Sequence, residues 1–183
     1  MKKSHPKRKN PPKRGAVSTR SRSIAPASKI ILNRILVPID FSDNSKKALR
    51  YALPLATTFN ASISIIYVVE PAVFPSDFGF GQMSFPDVEK GMYDKAEAEL
   101  QQIVADLNST TKISSVIKSG IPFVEVTTYA ADENVDLIIL ATHGRTGVEH
   151  ILFGSTAEKI IRKAPCPVLI VRAEEHDFVD DRV

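Results

Sequence analysis

Residues 136–171, DLIILATHGRTGVEHILFGSTAEKIIRKAPCPVLIV, decide the fold. An apolar run ends in Ala141-Thr142-His143-Gly144. Nine residues separate Gly144 from Gly154, and Ser155 then opens a helical pattern leading to a second apolar run. The order is strand, glycine-containing loop, helix, strand. Such a loop offers unpaired backbone N–H groups, and the helix start adds the positive end of a dipole. Both suit a phosphate, so the stretch implies a nucleotide- or phosphate-binding α/β domain.

The same alternation extends backwards. Residues 34–39 (RILVPI) form a short apolar run ending at Asp40, a first buried strand. Ser42 or Asp43 can cap a helix to about Phe59, with Ala48, Tyr51, Ala52 and Leu55 on one face. Pro54 falls inside that helix and is expected to kink or shorten it. Residues 62–69 (SISIIYVV) read as a second buried strand. Residues 86–107 read as a long helix with Ala96, Leu100, Ile103, Val104 and Leu107 on one face. Residues 112–118 (KISSVIK) suggest a more exposed third strand, and Pro122 starts a helix to about Asp132. Strand four covers 136–141, the last helix 155–163 and strand five 167–171. Solid apolar strands alternating with helices imply a parallel sheet covered on both faces, wound by right-handed crossovers. Ligands of such folds bind outside strand carboxyl ends where the strand order reverses. Asp40, Val68 to Glu70 and Ala141 to Gly144 all stand at such ends.

Charge is divided unevenly along the 183 residues. Residues 1–29 hold ten Lys or Arg and no Asp or Glu, so the rest carries 14 basic against 21 acidic residues, a balance of −7. The pI near 9 therefore belongs to the amino-terminal segment. It lends no support to a basic nucleic-acid-binding face on the body. The proline-rich, apolar-poor composition of residues 1–29 implies a disordered basic tail. Such a tail can make weak contacts with nucleic acid or an anionic surface. A targeting role is a further reading, which the early prolines disfavour. Residues 30–173 are then the folded domain and 174–183 an acidic tail expected to fray. No apolar run is long enough to span a membrane. The lone Cys166 cannot form an intramolecular disulfide, which fits a reducing compartment such as the cytoplasm, and no base is evident beside it.

On ILVPIDFSDNSKKALRYAL, VDLIILATHGRTG and FGSTAEKIIRKAPCPVLIV, the chain resembles the universal stress protein family over about residues 32–172. The resemblance implies a single doubly wound five-stranded parallel sheet of order 3-2-1-4-5. The family's ATP-binding branch carries Gly-x-x-Gly-x9-Gly-(Ser/Thr). Gly144, Gly154 and Ser155 match it in identity and spacing, while Ala141 stands where the first glycine would be. The extra methyl is tolerable there if φ is negative. The resemblance implies ATP, with magnesium brought by the triphosphate. It implies phosphate contacts from Gly144, Gly147, Gly154, Ser155 and Thr156, with Arg145 within reach of a phosphate. Ala141, Pro38 and Asp40 complete the candidate site at the strand ends, Asp40 as a nucleoside or metal-water contact. Val68 resembles the position whose backbone meets the adenine.

Each residue also has a plainer reading. Ser155-Thr156-Ala157-Glu158 is a capping-box pattern, Gly144 and Gly147 can shape a turn, and Asp40 can cap a helix. His143 reads as a structural hydrogen-bonding residue rather than a base. No P-loop lysine, Rossmann glycine motif, zinc-ligand cluster or nucleophile elbow is present. The pattern describes a pocket that holds a nucleotide with little to attack it, so hydrolysis is expected to be slow if it occurs at all. A nucleotide-independent dimeric interaction protein and a slow ATP hydrolase are the alternatives to an ATP-occupancy sensor. The loop 70–87 is long and carries Phe74, Phe78, Phe80 and Phe85, which suggests a lid or a contact with a second protomer. In a 3-2-1-4-5 sheet, strand five is an uncharged apolar edge, and pairing it with its copy about a two-fold axis gives a homodimer.

Overall fold

The computed structural model describes residues 29–71, 86–142, 154–172 and 179. Its contacts divide the chain into two units, Met1–Ile30 and Ile31–Val183, and the fold below belongs to the second. The predicted disordered tail, the four phenylalanines of the 70–87 loop, and His143, Gly144, Arg145 and Gly147 lie outside the described residues.

The strands are β1 (Arg34–Pro38), β2 (Ser62–Val69), β3 (Ile113–Ser119), β4 (Leu137–Ala141) and β5 (Val168–Val171). They form one parallel sheet of order β3-β2-β1-β4-β5, the order implied by the resemblance. The helices are α1 (Asp43–Phe59), α2 (Pro86–Asp106), α3 (Pro122–Asp132) and α4 (Ser155–Lys163).

Side-chain alternation along the central strands builds two cores. Ile35, Val37, Ile39, Ile63 and Ile65 pack with Ala48, Leu49, Ala52 and Ala56 of α1 and Leu100 of α2. On the other face, Leu36, Ile66, Val68, Ile138 and Leu140 pack with Val126 and Ala130 of α3 and Ala157 and Ile160 of α4. Each strand contributes apolar residues to both faces, which is why the strands read as unbroken apolar runs. β3 is an edge, and its Ser114, Ser115 and Lys118 are exposed, as its mixed sequence predicts.

Helix α1 starts where Ser42 caps it, its side chain accepting the Ser45 N–H at 3.2 Å. It ends at Asn60, which adopts φ 54°, a conformation asparagine tolerates better than most residues. The shortening expected at Pro54 does not occur, and the helix runs on through it to Phe59. Pro54 lies on the exposed face, while Ala48, Leu49, Ala52 and Ala56 hold the helix to the sheet. Packing along that stripe outweighs the single N–H lost at proline. Val179, the described residue of the acidic carboxyl-terminal segment, packs partly buried against the α1-side core.

Candidate functional site at the strand carboxyl ends

The strand order reverses between β1 and β4, so the crevice predicted by the fold opens at their carboxyl ends. Pro38 makes that opening. The Ile39 N–H donates to Ile66 O at 2.9 Å, toward β2, so position 38 faces β4, where proline has no N–H to give. The β1–β4 pairing stops at Leu36–Ile138, whereas the β1–β2 pairing runs on to Pro38–Ile66. Proline in a central strand thus ends one ladder early on the side where a ligand would enter.

Asp40 and Phe41 follow. One carboxylate oxygen of Asp40, Oδ1, accepts the Ser42 N–H at 3.1 Å and the Ser42 hydroxyl at 2.5 Å. The Asp40 N–H donates to Ser45 Oγ at 3.3 Å. Asp40 therefore does not cap α1 directly, since Ser42 does that, but it fixes the cap. Phe41 takes φ 66°, and its ring packs on Tyr67 with centroids 4.6 Å apart.

Val68 is the next group toward β2. Its side chain is core, as the plainer reading of this position holds. Its backbone is placed differently. Ser62 N–H and Ile66 O bond toward β1, and Val69 O accepts the Gly120 N–H at 3.0 Å on the β3 side. By the two-residue alternation of a strand, the Val68 N–H and C=O point toward β1. Among the described residues that ladder ends at the Ile39–Ile66 bond, one step short of them. A donor and an acceptor thus project side by side past the end of β1.

The third wall is the start of α4. Ala141 closes the β4–β5 ladder opposite Val171, and it is not among the residues with positive φ, so its methyl is accommodated without strain. Thr142, buried, donates its N–H to Val171 O at 3.1 Å and accepts the Gly154 N–H at 2.8 Å. That pair straps the helix start to the end of β4. The N-cap is Gly154, with φ −62° and no side-chain cap bond, and Ser155 and Thr156 are exposed in the first turn.

The capping-box reading of Ser155 is thereby corrected. Ser155 is the first helical residue rather than the cap, and Glu158 reaches forward to Arg162, at 3.0 Å from Nε and 2.9 Å from a terminal nitrogen. Pairing with Arg162 diverts the one first-turn carboxylate from the N–H groups that a capping box would satisfy. Among the described residues, a Cβ at 154 would meet only Thr142 O, at 3.5 Å, an ordinary contact.

The sequence-predicted residues Pro38, Asp40, Val68, Ala141, Gly154, Ser155 and Thr156 therefore stand at the carboxyl ends of β1, β2 and β4. Phe41 escaped sequence reasoning because a phenylalanine gives no sign of a positive φ. Among the described residues, no group of three or more His, Cys, Asp or Glu could hold a metal ion. Cys166 is half-buried beside the α3/α4 core, and burial pushes its thiol above the ordinary range, as suits a structural cysteine.

The model of the family described as "Universal stress protein family" matches residues 32–172. The chain belongs to the universal stress protein family. A relative in Methanocaldococcus jannaschii, universal stress protein MJ0531, is 33% identical over 145 residues, covering 78% of this chain and 83% of that one. The solved structure of MJ0577, from the same organism, superposes with a TM-score of 0.68 at 27% identity, over 80% of this chain and 100% of that one. A universal stress protein of Archaeoglobus fulgidus, solved in complex with dAMP, shares the fold with a TM-score of 0.54 at 18% identity, over 77% of this chain and 98% of that one.

Proposed function

We propose that this universal stress protein binds ATP in the crevice between β1 and β4 and acts as a sensor or regulator through occupancy of that site. The observation that carries the reading is the start of α4. It is strapped to β4 through Gly154 and Thr142, has no side-chain cap, and carries a glycine whose Cβ would meet, among the described residues, only Thr142 O at 3.5 Å. Such a terminus attracts an anion that can approach the backbone closely. Gly154, Ser155 and Thr156 would hold phosphate, joined by Gly144, Arg145 and Gly147 of the preceding segment. The paired N–H and C=O of Val68 match the donor–acceptor edge of adenine, and Asp40 would meet the ribose or a water on magnesium. The dAMP held by the A. fulgidus relative agrees with an adenine nucleotide as the ligand class.

Magnesium would arrive with the triphosphate and neutralise part of its charge. The sequence offers no P-loop lysine or evident general base, so occupancy rather than turnover is the proposed output. A bound triphosphate would bias the pose of the segment joining β4 to α4, and a partner would read that pose. The protein is proposed to work in the cytoplasm as a homodimer joined along β5, whose Val168, Leu169 and Ile170 remain partly exposed at the sheet edge. Among the described residues no helix is long and apolar enough to cross a membrane. The acid-free segment 1–29 is proposed to add weak, salt-sensitive contacts with polyanions.

The test is to denature protein purified from cells and identify released nucleotide by mass spectrometry, then repeat after incubation with ATP and magnesium. ATP in near-equimolar amount is the expected result. Protein that carries no nucleotide under either condition would overturn the reading.

A further inference from the structure

Phe41 has a backbone conformation that its side chain does not favour. Its φ of 66° lies in the left-handed region, where glycine and asparagine rest easily and a bulky aromatic does not. Among the described residues, the other non-glycine positions with positive φ, Asn60, Asn108 and Asn134, are all asparagines. A residue holds such a conformation only where its surroundings over-determine it, and such positions cluster at functional sites. Here the constraint is visible on both sides. Behind Phe41, Asp40 Oδ1 is held by the Ser42 N–H and hydroxyl. In front, the ring packs on Tyr67, tilted by 41°, and both rings lie against the α1-side core. Tyr67 immediately precedes Val68 in β2. The aromatic pair therefore ties the end of β1, which carries the Asp40 carboxylate, to the end of β2, which carries the projecting Val68 peptide.

We propose that Phe41 is a positioning residue that fixes the Asp40 carboxylate relative to the Val68 backbone, and so sets the site's affinity for the nucleoside part of its ligand. The inference rests on the ATP reading given above. Asparagine or glycine at 41 would make the turn with less strain but could not make the ring contact. The span between the two strand ends would then be free to vary, and a ligand touching both would lose one well-formed hydrogen bond.

The experiment compares ATP with inorganic tripolyphosphate by calorimetry on the full chain. Phe41→Gly removes the ring and relieves the backbone. Tyr67→Ala removes the partner ring and leaves residue 41 as it is, so it carries the test should the first variant fold poorly. Both are expected to weaken ATP binding about tenfold, roughly the value of one hydrogen bond to a charged group. Tripolyphosphate affinity should stay unchanged, because the α4 start is untouched. Phe41→Tyr, which keeps the ring, should retain ATP affinity. Combining Phe41→Gly with Asp40→Ala should cost no more than Asp40→Ala alone, since Phe41 acts through Asp40. ATP affinity within twofold of the unmodified chain in both ring variants would overturn the inference and leave ATP binding standing. An equal loss of ATP and tripolyphosphate would also overturn it, as would full additivity with Asp40→Ala. Failure of the unmodified chain to bind ATP would remove the reading beneath it.

Discussion

Replacing Gly120 with alanine is expected to destabilise the domain through two separable costs. Gly120 joins β3 to α3 with φ +148°, a conformation that L side chains rarely adopt. Its N–H donates to Val69 O at 3.0 Å, so the backbone cannot relax without releasing the end of β2. The conformational cost is about 1–3 kcal/mol. The second cost is steric. A Cβ at 120 would lie 2.7 Å from Glu125 Oε1, 3.1 Å from its Cγ and 3.2 Å from its Cδ. These atoms belong to a flexible side chain that can swing away, so the steric part is about 0.5–1.5 kcal/mol, the scale of an off-rotamer side chain. Gly120→Ala should therefore cost about 1.5–4.5 kcal/mol, a fall in Tm of several degrees for a domain of this size. Urea unfolding of Gly120→Ala, Glu125→Ala and the double variant separates the two parts. Glu125→Ala should recover the steric part and leave the conformational part. A loss below about 0.5 kcal/mol, the usual range of surface substitutions, would refute the reasoning. Complete rescue by Glu125→Ala would refute the backbone argument.

Other expectations follow from single contacts. Ser42→Ala removes the α1 cap and the partner of Asp40 Oδ1, and should lower stability by about 1 kcal/mol in urea unfolding; an unchanged midpoint would contradict the cap. Because burial raises the Cys166 thiol, it should react with iodoacetamide at pH 8 more slowly in the folded chain than in the unfolded one, and equal rates would contradict this. The raised thiol ionises first in the unfolded state, so its contribution to stability is complete below the ordinary thiol range and lost as pH rises through the folded-state value. Leu169→Lys or Ile170→Pro on the β5 edge should shift a dimer toward monomer in light scattering without loss of ATP binding. A monomer from the unmodified chain at micromolar concentration would sink the proposed interface.

Much of the fold was legible because its signals are periodic. β2 and α4 have the bounds read from sequence, β1, β4 and β5 differ by a residue at one end, and β3 is shifted by a residue at both. Apolar runs long enough to be buried on both faces left little choice but a parallel sheet. Pro54 misled, because a local rule met a helix whose alanine-rich stripe packs along the sheet. The Ser155 pattern misled in a similar way. Glu158 can accept the backbone N–H of a capping residue behind it or pair with Arg162 ahead, and only the three-dimensional arrangement decides. The candidate site was legible where residue type carries the chemistry, as at Asp40 and Gly154. It was not legible where the backbone does. The early end of the β1–β4 ladder at Pro38, the direction of the Val68 peptide and the φ of Phe41 depend on strand pairing and register, which side-chain identity does not encode.

The central claim is that the start of α4 receives phosphate at a glycine kept for the ligand. Calorimetric titration of ATP with magnesium into the unmodified chain and into Gly154→Val tests it most directly. Among the described residues, the only contact a Cβ at 154 would make is the ordinary one with Thr142 O, so the variant should fold. The account predicts binding by the unmodified chain and none by Gly154→Val with its fold intact by circular dichroism. ATP binding of equal strength in the folded variant would contradict it.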